Sequence, residues 1–313
     1  LTKKPLVIAL VGPTCTGKTA LSIELAKNLN GEIIACDSRT VYQYMDIGTA
    51  KPTIQERCGI PHHLLDVVTP GEVYTAANYK EQATSALEQI IAQGKIPIVC
   101  GGTGLYARAL LEGFSMPAVE PNVALREELN QLAQKDGIEA LHKILEVLDP
   151  VSKGRIQAND RFRIIRAIEV SKALGRPFSE VATRVEVPYD VLWLGLNFSD
   201  RNLLKERIIL RLDEQLKQGV LDEIEVILKM FGKTQALVNA VPYKEYLQFI
   251  DGQITLEEAT QEAIKHNFEL ARRQVMWFRA NKQMHWMDAN TLSKNDIYDL
   301  SMKEISSKLA LQK

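Results

Sequence analysis

Gly12-Pro13-Thr14-Cys15-Thr16-Gly17-Lys18-Thr19 is the stretch from which the rest of the chain can be read. It satisfies G-x-x-x-x-G-K-[ST], the phosphate-binding P-loop pattern, at every fixed position. Before it, Leu6 to Val11 is an unbroken apolar run, which predicts a buried parallel strand. After it, Leu21, Leu25 and Leu29 recur every four residues, which predicts a helix with one apolar face. A glycine-bearing turn between strand and helix lets successive backbone N–H groups converge on an anion, and the helix N-terminus adds partial positive charge. Lys18 supplies a mobile cation, and the Thr19 hydroxyl suits a metal ion held between phosphates. The motif says that a polyphosphate binds. It leaves open which one, and what is done to it.

The totals narrow the field. A chain of 313 residues suffices for one large domain or two smaller ones. With 46% apolar and 25% charged residues it reads as a folded, soluble protein. A formal net charge of −1 gives no global sign of nucleic acid, so any such surface has to be local. The four cysteines, Cys15, Cys36, Cys58 and Cys100, are scattered, which predicts reduced thiols and a cytoplasmic protein. The apolar run near the start is too short for a signal peptide, and no stretch is long enough to span a membrane.

Further along, Glu32 to Ser38 reads as a short strand that stops on Asp37. In an open α/β sheet ligands sit at the carboxyl ends of strands, so Asp37 is expected to face the same crevice as the loop; capping of the next turn is the alternative. Residues 41–74 read as an extended irregular excursion, a pattern typical of functional loops. Within it Cys58, His62 and His63 lack a fourth partner for zinc, so the histidines are expected to pack or hydrogen-bond locally. Thr75 to Gln93 reads as a helix closed by Gly94. Ile96 to Cys100 reads as a strand running into Gly101-Gly102-Thr103-Gly104. A P-loop nucleotide hydrolase would carry Asp at such a strand end to hold magnesium; two glycines and a threonine argue instead for something docked closely there.

Residues 113–190 change character. A breaker-rich linker from Gly113 to Pro121 leads into helical patterns. Segment 155–184 has seven basic residues against three acidic ones, an excess of +4. Val191 to Phe198 then reads as a strand that returns to the sheet. The expected architecture is therefore α/β: a P-loop parallel sheet core with helices on both faces and an inserted all-helical domain. The expected divisions are 1–112 for the first part of the core, 113–190 for the insertion, and 191–313 for the return plus C-terminal helices. Thr255 to Glu258 fits a capping box, opening a helix that runs to about Lys282. From Lys265 to Lys282 it has five basic residues against Glu269, again +4, with Trp277 and Phe278 among them. Basic and aromatic residues together suit RNA, because bases stack while phosphates pair; a solvated basic face on a core helix is the plain alternative.

Taken together, GPTCTGKT at 12–19, CDSRTVYQYMDIGTAKP at 36–52, GIPHHLLD at 59–66, GGTGLY at 101–106, ANDRFRIIRAIE at 158–169 and ELARRQVMWFR at 269–279 resemble the tRNA dimethylallyltransferase (tRNA isopentenyltransferase) family. The resemblance covers roughly residues 5–287. It implies transfer of a dimethylallyl group from dimethylallyl diphosphate to N6 of adenosine 37, beside the tRNA anticodon. On that footing Gly12, Pro13, Thr14, Cys15, Thr16, Gly17, Lys18 and Thr19 would cradle the diphosphate leaving group, with Mg2+ on Thr19. Asp37 would act as general base and Thr103 would hydrogen-bond near the reacting amine, giving Asp37, Thr19, Thr103 and Lys18 as the catalytic set. The tRNA anticodon stem-loop would meet Asp37, Ser38, Arg39, Thr40, Thr103, Arg126, Phe162, Arg163, Arg166, Arg272 and Arg273. A monomer is expected, with no membrane partner.

Two positions depart from the family pattern: Thr40 stands where glutamine is usual, and Val241-Pro242 precedes Tyr243-Lys244-Glu245 where glycine is usual. Other readings stay open at this level. They are prenyl transfer to free adenine nucleotides, a P-loop small-molecule kinase, and a nucleotide-switched RNA-binding protein without catalysis.

Overall fold

The computed structural model describes residues 3–115, 117 and 119–311. Met116 and Ala118 of the expected linker lie outside the described residues, as do residues 1–2 of the expected first segment and 312–313 of the expected last one. The elements run β1 (Leu6–Val11), α1 (Lys18–Leu29), β2 (Gly31–Cys36), β3 (His62–His63), α2 (Ala76–Ala92), β4 (Ile96–Gly101) and α3 (Gly104–Leu111). Next come α4 (Val123–Asp136), α5 (Ile138–Leu148), α6 (Pro150–Arg155), α7 (Arg161–Leu174) and α8 (Phe178–Val181). The chain returns through β5 (Asp190–Asn197) to α9 (Arg201–Lys217), α10 (Val220–Phe231), α11 (Gln235–Val238) and α12 (Tyr243–Ile250). It closes with α13 (Leu256–Arg279), β6 (Met284–Asp288) and α14 (Lys294–Leu311).

The six strands form one sheet in the order β3-β2-β4-β1-β5-β6, and every pairing is parallel. Every residue of β1 is buried, as expected of a strand covered on both faces. Leu6, Ile8 and Leu10 point to one face, where they join Leu21 and Leu25 of α1 and Ile297 and Ile305 of α14 in a single apolar cluster. Helix α2 packs against β2 and β4. Each fully buried Leu or Ile contributes roughly 1.5–3 kcal/mol, so the apolar run of β1 is a principal anchor of the sheet. Register sets the functional rim: Gly101 pairs with both Val11 and Cys36, and Val11 also pairs with Gly195. Strands β1, β2 and β4 thus end level, and the segments leaving them start from one edge.

Two compact units are present: Leu1–Leu110 with Val187–Lys313, and Leu111–Glu186. The second unit ends earlier than the expected boundary at 190. Asp190 is already in β5, with its N–H on the Pro5 carbonyl at 2.9 Å and its Cα in register with Leu6. The second unit has a core of its own, in which Leu129, Leu141, Leu145, Ile164 and Ile168 meet.

The excursion after β2 is more ordered than its composition suggests. Val41, Tyr42 and Met45 share an apolar cluster with Ile224 and Ile227 of α10 and Tyr243 and Tyr246 of α12. Lys51 is buried, and its ammonium donates to the Tyr42 carbonyl at 2.8 Å and to Asp46 and Asp66, each at 2.5 Å. The Glu223 carboxylate accepts the N–H groups of Asp46, Ile47 and Gly48 at 2.8, 2.7 and 3.1 Å, and the Tyr243 hydroxyl at 2.6 Å. These contacts give residues 45–52 a fixed course beside the P-loop.

Candidate active site

A cavity of about 230 Å³ opens between the P-loop, the end of β2 and the 49–52 segment. That is below the ~300–1,000 Å³ typical of pockets for drug-sized ligands, so it suits a compact ligand. Thr14, Cys15, Thr16, Gly17, Lys18 and Thr19 all line it, as do Asp37 and Thr40. Gly12, Pro13, Ser38, Arg39 and Thr103 are not among its lining residues.

Within the loop, the Pro13 carbonyl accepts from the Thr16 hydroxyl at 2.9 Å and from Lys18 Nζ at 2.5 Å. The lysine is therefore folded back over the loop. Burial is the main cause that pulls its ammonium below the ordinary value; the Arg211 guanidinium adds to this, while Asp37 opposes it. Gly17 takes a left-handed conformation at φ 90° and opens α1, so Lys18 and Thr19 sit in the first turn with its free N–H groups.

Asp37 is both strand end and turn former. Its Oδ1 accepts the Arg39 N–H at 2.8 Å, which fixes the carboxylate, and Oδ2 has no hydrogen-bond partner among the described residues. The Thr103 N–H donates to the Cys36 carbonyl at 3.1 Å, and Thr103 Oγ1 accepts the Ser38 N–H at 3.0 Å. Thr103 thereby splices the end of β4 to the end of β2 while its own O–H stays a donor. The Arg39 guanidinium donates to the Asn239 carbonyl at 2.8 Å. Burial pushes the Cys36 thiol up to about 12, so it is neutral and no nucleophile.

The glycines after β4 do receive something closely docked, and it is the chain's own helix. A Cβ on Gly102 would lie 2.2 Å from Gln274 Nε2, and one on Gly104 would lie 2.7 Å from Trp277 Cβ. Glycine is required there so that α13 can approach. Gln274 then reaches the P-loop, where its Oε1 accepts the Thr14 N–H at 2.9 Å. From α9, Arg211 donates to Thr14 Oγ1 at 2.5 Å and to the Thr49 carbonyl at 3.2 Å, and Arg207 donates to the Cys15 carbonyl at 2.8 Å. Arg211 and Gln274 line the cavity. Sequence reasoning missed both, and the basic, glutamine-bearing surface of the two helices was the only trace of them.

His63 hydrogen-bonds locally as expected, with Nε2 2.7 Å from Glu32. His62 bonds the Ile60 carbonyl through Nδ1 but also lines the cavity, a placement the local reading did not include. Among the described residues no group of three His, Cys, Asp or Glu is arranged to hold a metal.

The expected RNA contacts fall on each unit separately. In the second unit Phe162 is 81% exposed at the start of α7, the Arg161 guanidinium lies 5.9 Å from its ring centre, and Arg163 is exposed beside it. Arg126 and Arg166 are drawn inward instead. Arg126 forms a two-pronged pair with the buried Glu169 at 2.8 Å on each oxygen, and Arg166 adds a third bond at 2.6 Å. Burial alone would raise the Glu169 carboxyl, but the bonds from Arg126 and Arg166 outweigh it and hold it below its ordinary value. In the first unit Arg272 and Arg273 are exposed on α13, one and two residues from Gln274.

A profile of the IPP transferase family matches residues 40–281. A tRNA dimethylallyltransferase of Thermomicrobium roseum is 43% identical over 289 residues, spanning 92% of this chain and 88% of that protein. One from Carboxydothermus hydrogenoformans is 40% identical over 301 residues, spanning 95% and 96%. The crystal structure of the full-length tRNA isopentenylpyrophosphate transferase of Bacillus halodurans aligns with a TM-score of 0.72 at 34% identity, over 99% of both chains. That of a eukaryotic dimethylallyltransferase acting on tRNA aligns with a TM-score of 0.74 at 25% identity, over 99% of this chain and 80% of the other. With most of its length matched by the family profile and by these relatives, the chain belongs to the IPP transferase family.

Proposed function

We propose that the protein is a tRNA dimethylallyltransferase. It moves the dimethylallyl group of dimethylallyl diphosphate to N6 of adenosine 37, beside the anticodon, and releases diphosphate. The observation that carries this reading is the joining of Lys18, the P-loop and Asp37 on one small cavity. An anion pocket alone suits any polyphosphate; a fixed carboxylate beside it suits a reaction in which one partner leaves as an anion and the other sheds a proton.

The diphosphate lies in the loop, where the N–H groups of α1's first turn and the Lys18 ammonium meet the charge that grows on the departing oxygen. Such donors favour the transition state over the ground state, and removing one costs on the order of 3 kcal/mol. As the N6–C1 bond forms and the C1–O bond breaks, Asp37 Oδ2 takes the N6 proton. The adenine is flipped out of its stack to reach the cavity, at a cost of a few kcal/mol. Arg163, Phe162, Arg272 and Arg273 offset this by pairing with phosphates and stacking on bases. Arg39 and Ser38 act through the turn that holds Asp37, and Arg126 and Arg166 by anchoring α7 to α4 through Glu169. Thr19 would hold a magnesium ion through its hydroxyl, a sparse set that fits an ion ligated mainly by phosphate and water. When bound, that ion neutralises charge on the diphosphate. No helix among the described residues is long and apolar enough to cross a membrane, and all four cysteines are free, as in a reducing cytoplasm.

The test is direct. The protein is incubated with tRNA lacking the modification, dimethylallyl diphosphate and magnesium, and the nucleosides are then separated and weighed. Dimethylallyladenosine is expected. Its absence, with prenylated AMP formed when AMP replaces tRNA, would reassign the enzyme to free nucleotides.

A further inference from the structure

Transfer needs two parts held at a set spacing: the cradle for the leaving group and the base for the incoming amine. They belong to different strand ends. The P-loop leaves β1, and Asp37 leaves β2, with its neighbours Cys36 and Ser38 both bonded to Thr103 after β4. Gln274 of α13 touches both sides. Its Oε1 accepts the Thr14 N–H at 2.9 Å. Its Nε2 stands against Gly102, where a Cβ would come within 2.2 Å of it. Gly102 lies between Thr103 and Gly101, which is in register with both Val11 and Cys36. One amide therefore spans from the loop to the segment that fixes Asp37.

The side chain is carried on an anchored helix. Ala271 and Phe278, three positions before and four after, are buried on the same face of α13. Gln274 itself is 9% exposed and lines the cavity. An amide suits this place, because it accepts from the loop backbone and brings no charge into a pocket for an anion. A carboxylate would accept as well but would repel diphosphate. An apolar side chain of equal length would leave the Thr14 N–H without its acceptor.

We infer that Gln274 is a positioning residue for the transfer: it holds the donor cradle at the spacing from Asp37 and Thr103 that the reacting atoms require. The inference rests on the function proposed above and adds a residue to its machinery. Reacting atoms have to meet at about 3–3.5 Å, and a misplacement of about 1 Å costs on the order of 10²-fold.

The experiment uses the full-length protein with unmodified tRNA, dimethylallyl diphosphate and magnesium. It reads kcat, donor KM, tRNA affinity and the thermal midpoint. Gln274→Met keeps the length of the side chain and loses the amide. Its kcat is expected to fall about 10- to 100-fold, by more than donor KM rises, with tRNA affinity and thermal midpoint close to the wild type. Gln274→Glu supplies a second readout. While protonated, its carboxyl is neutral and accepts the Thr14 N–H as the amide does; once ionised, it sets a negative charge beside the diphosphate. The donor KM of this variant, divided by that of the wild type at each pH, is therefore expected to be near one on the acid side. It climbs as pH rises through the carboxyl titration. A Gln274→Met enzyme with kcat within about twofold of the wild type overturns the inference and leaves the proposed function standing. So does a loss of kcat matched by lost thermal stability or tRNA affinity, which would make Gln274 a support for α13 alone. A Gln274→Glu ratio that stays flat with pH overturns it too, because the side chain would then stand away from the diphosphate. Absence of transfer by the wild type overturns both.

Discussion

Asp37 and Lys18 act on opposite ends of the same bond exchange, and each has a separable signature. Asp37→Asn keeps an oxygen for the Arg39 N–H, so the turn should survive while the base is lost. The expected result is a fall in kcat of roughly 10²–10⁴-fold with little change in donor KM, measured by transfer to tRNA. A loss within threefold would remove Asp37 from the chemistry. For Lys18 the sign runs as follows. Burial favours the neutral amine in the free enzyme, while bound diphosphate favours the ammonium. Donor affinity is therefore full below the lowered pKa and declines as pH rises through it, beneath the ordinary 10.5. Donor KM followed on the alkaline side should show that limb in the wild type. Lys18→Arg, whose guanidinium stays charged, should lack it. A limb that appears only at the ordinary lysine value would mean that the ammonium is not buried in the working enzyme.

At the scale of elements, the cradle is assembled by helices distant in sequence. Arg211 of α9 and Gln274 of α13 both hold Thr14, from 197 and 260 positions away. Glu223 of α10 fixes the 46–48 backbone next to the cavity. Glu223→Gln keeps the size but weakens an acceptor of three N–H groups and a phenol. It is expected to lower stability by about 1–3 kcal/mol and to loosen donor binding; urea unfolding and donor titration report the two effects. Unchanged donor affinity would mean that residues 49–52 hold their course without Glu223. These dependencies explain what the sequence could and could not disclose. The P-loop was legible because its residues are contiguous and their spacing is dictated by one anion. Strands β1, β2, β4 and β5 were legible as apolar runs, and Asp37 as the carboxylate that ends one of them. Strand β3 has only two residues, and β6 carries exposed His285 and Trp286, so neither shows a run. Arg211 lies in a helix dense with charge and reads as solvated until the fold puts Thr14 beside it. The 41–74 excursion looked irregular because its order comes from Lys51 and Glu223, single side chains that gather backbone and side-chain groups scattered along the sequence.

For the whole molecule, the question is how a protein of net charge −1 holds a polyanion. Charge is segregated rather than abundant: α7 in one unit and α13 in the other carry exposed arginines, while Arg126 and Arg166 are neutralised by Glu169 within the second unit. The exposed arginines can displace counterions from tRNA, and the affinity should fall with salt in proportion to the phosphates they meet. Replacing Arg272 and Arg273 together by alanine is expected to make the plot of log affinity against log salt shallower by roughly one per arginine. Phe162→Ala should behave differently. A stacking contact of ~1–3 kcal/mol carries no counterion, so affinity falls while the slope stays. Arg126→Ala should show a third behaviour: it takes two charge-assisted bonds from the buried Glu169 carboxylate, so the second unit loses stability and the slope again stays. Filter binding of unmodified tRNA across a salt series, with thermal unfolding of each variant alongside, separates the three. An Arg272/Arg273 variant whose slope matches the wild type would show that α13 presents a solvated basic face, and the RNA surface of this unit would have to lie elsewhere.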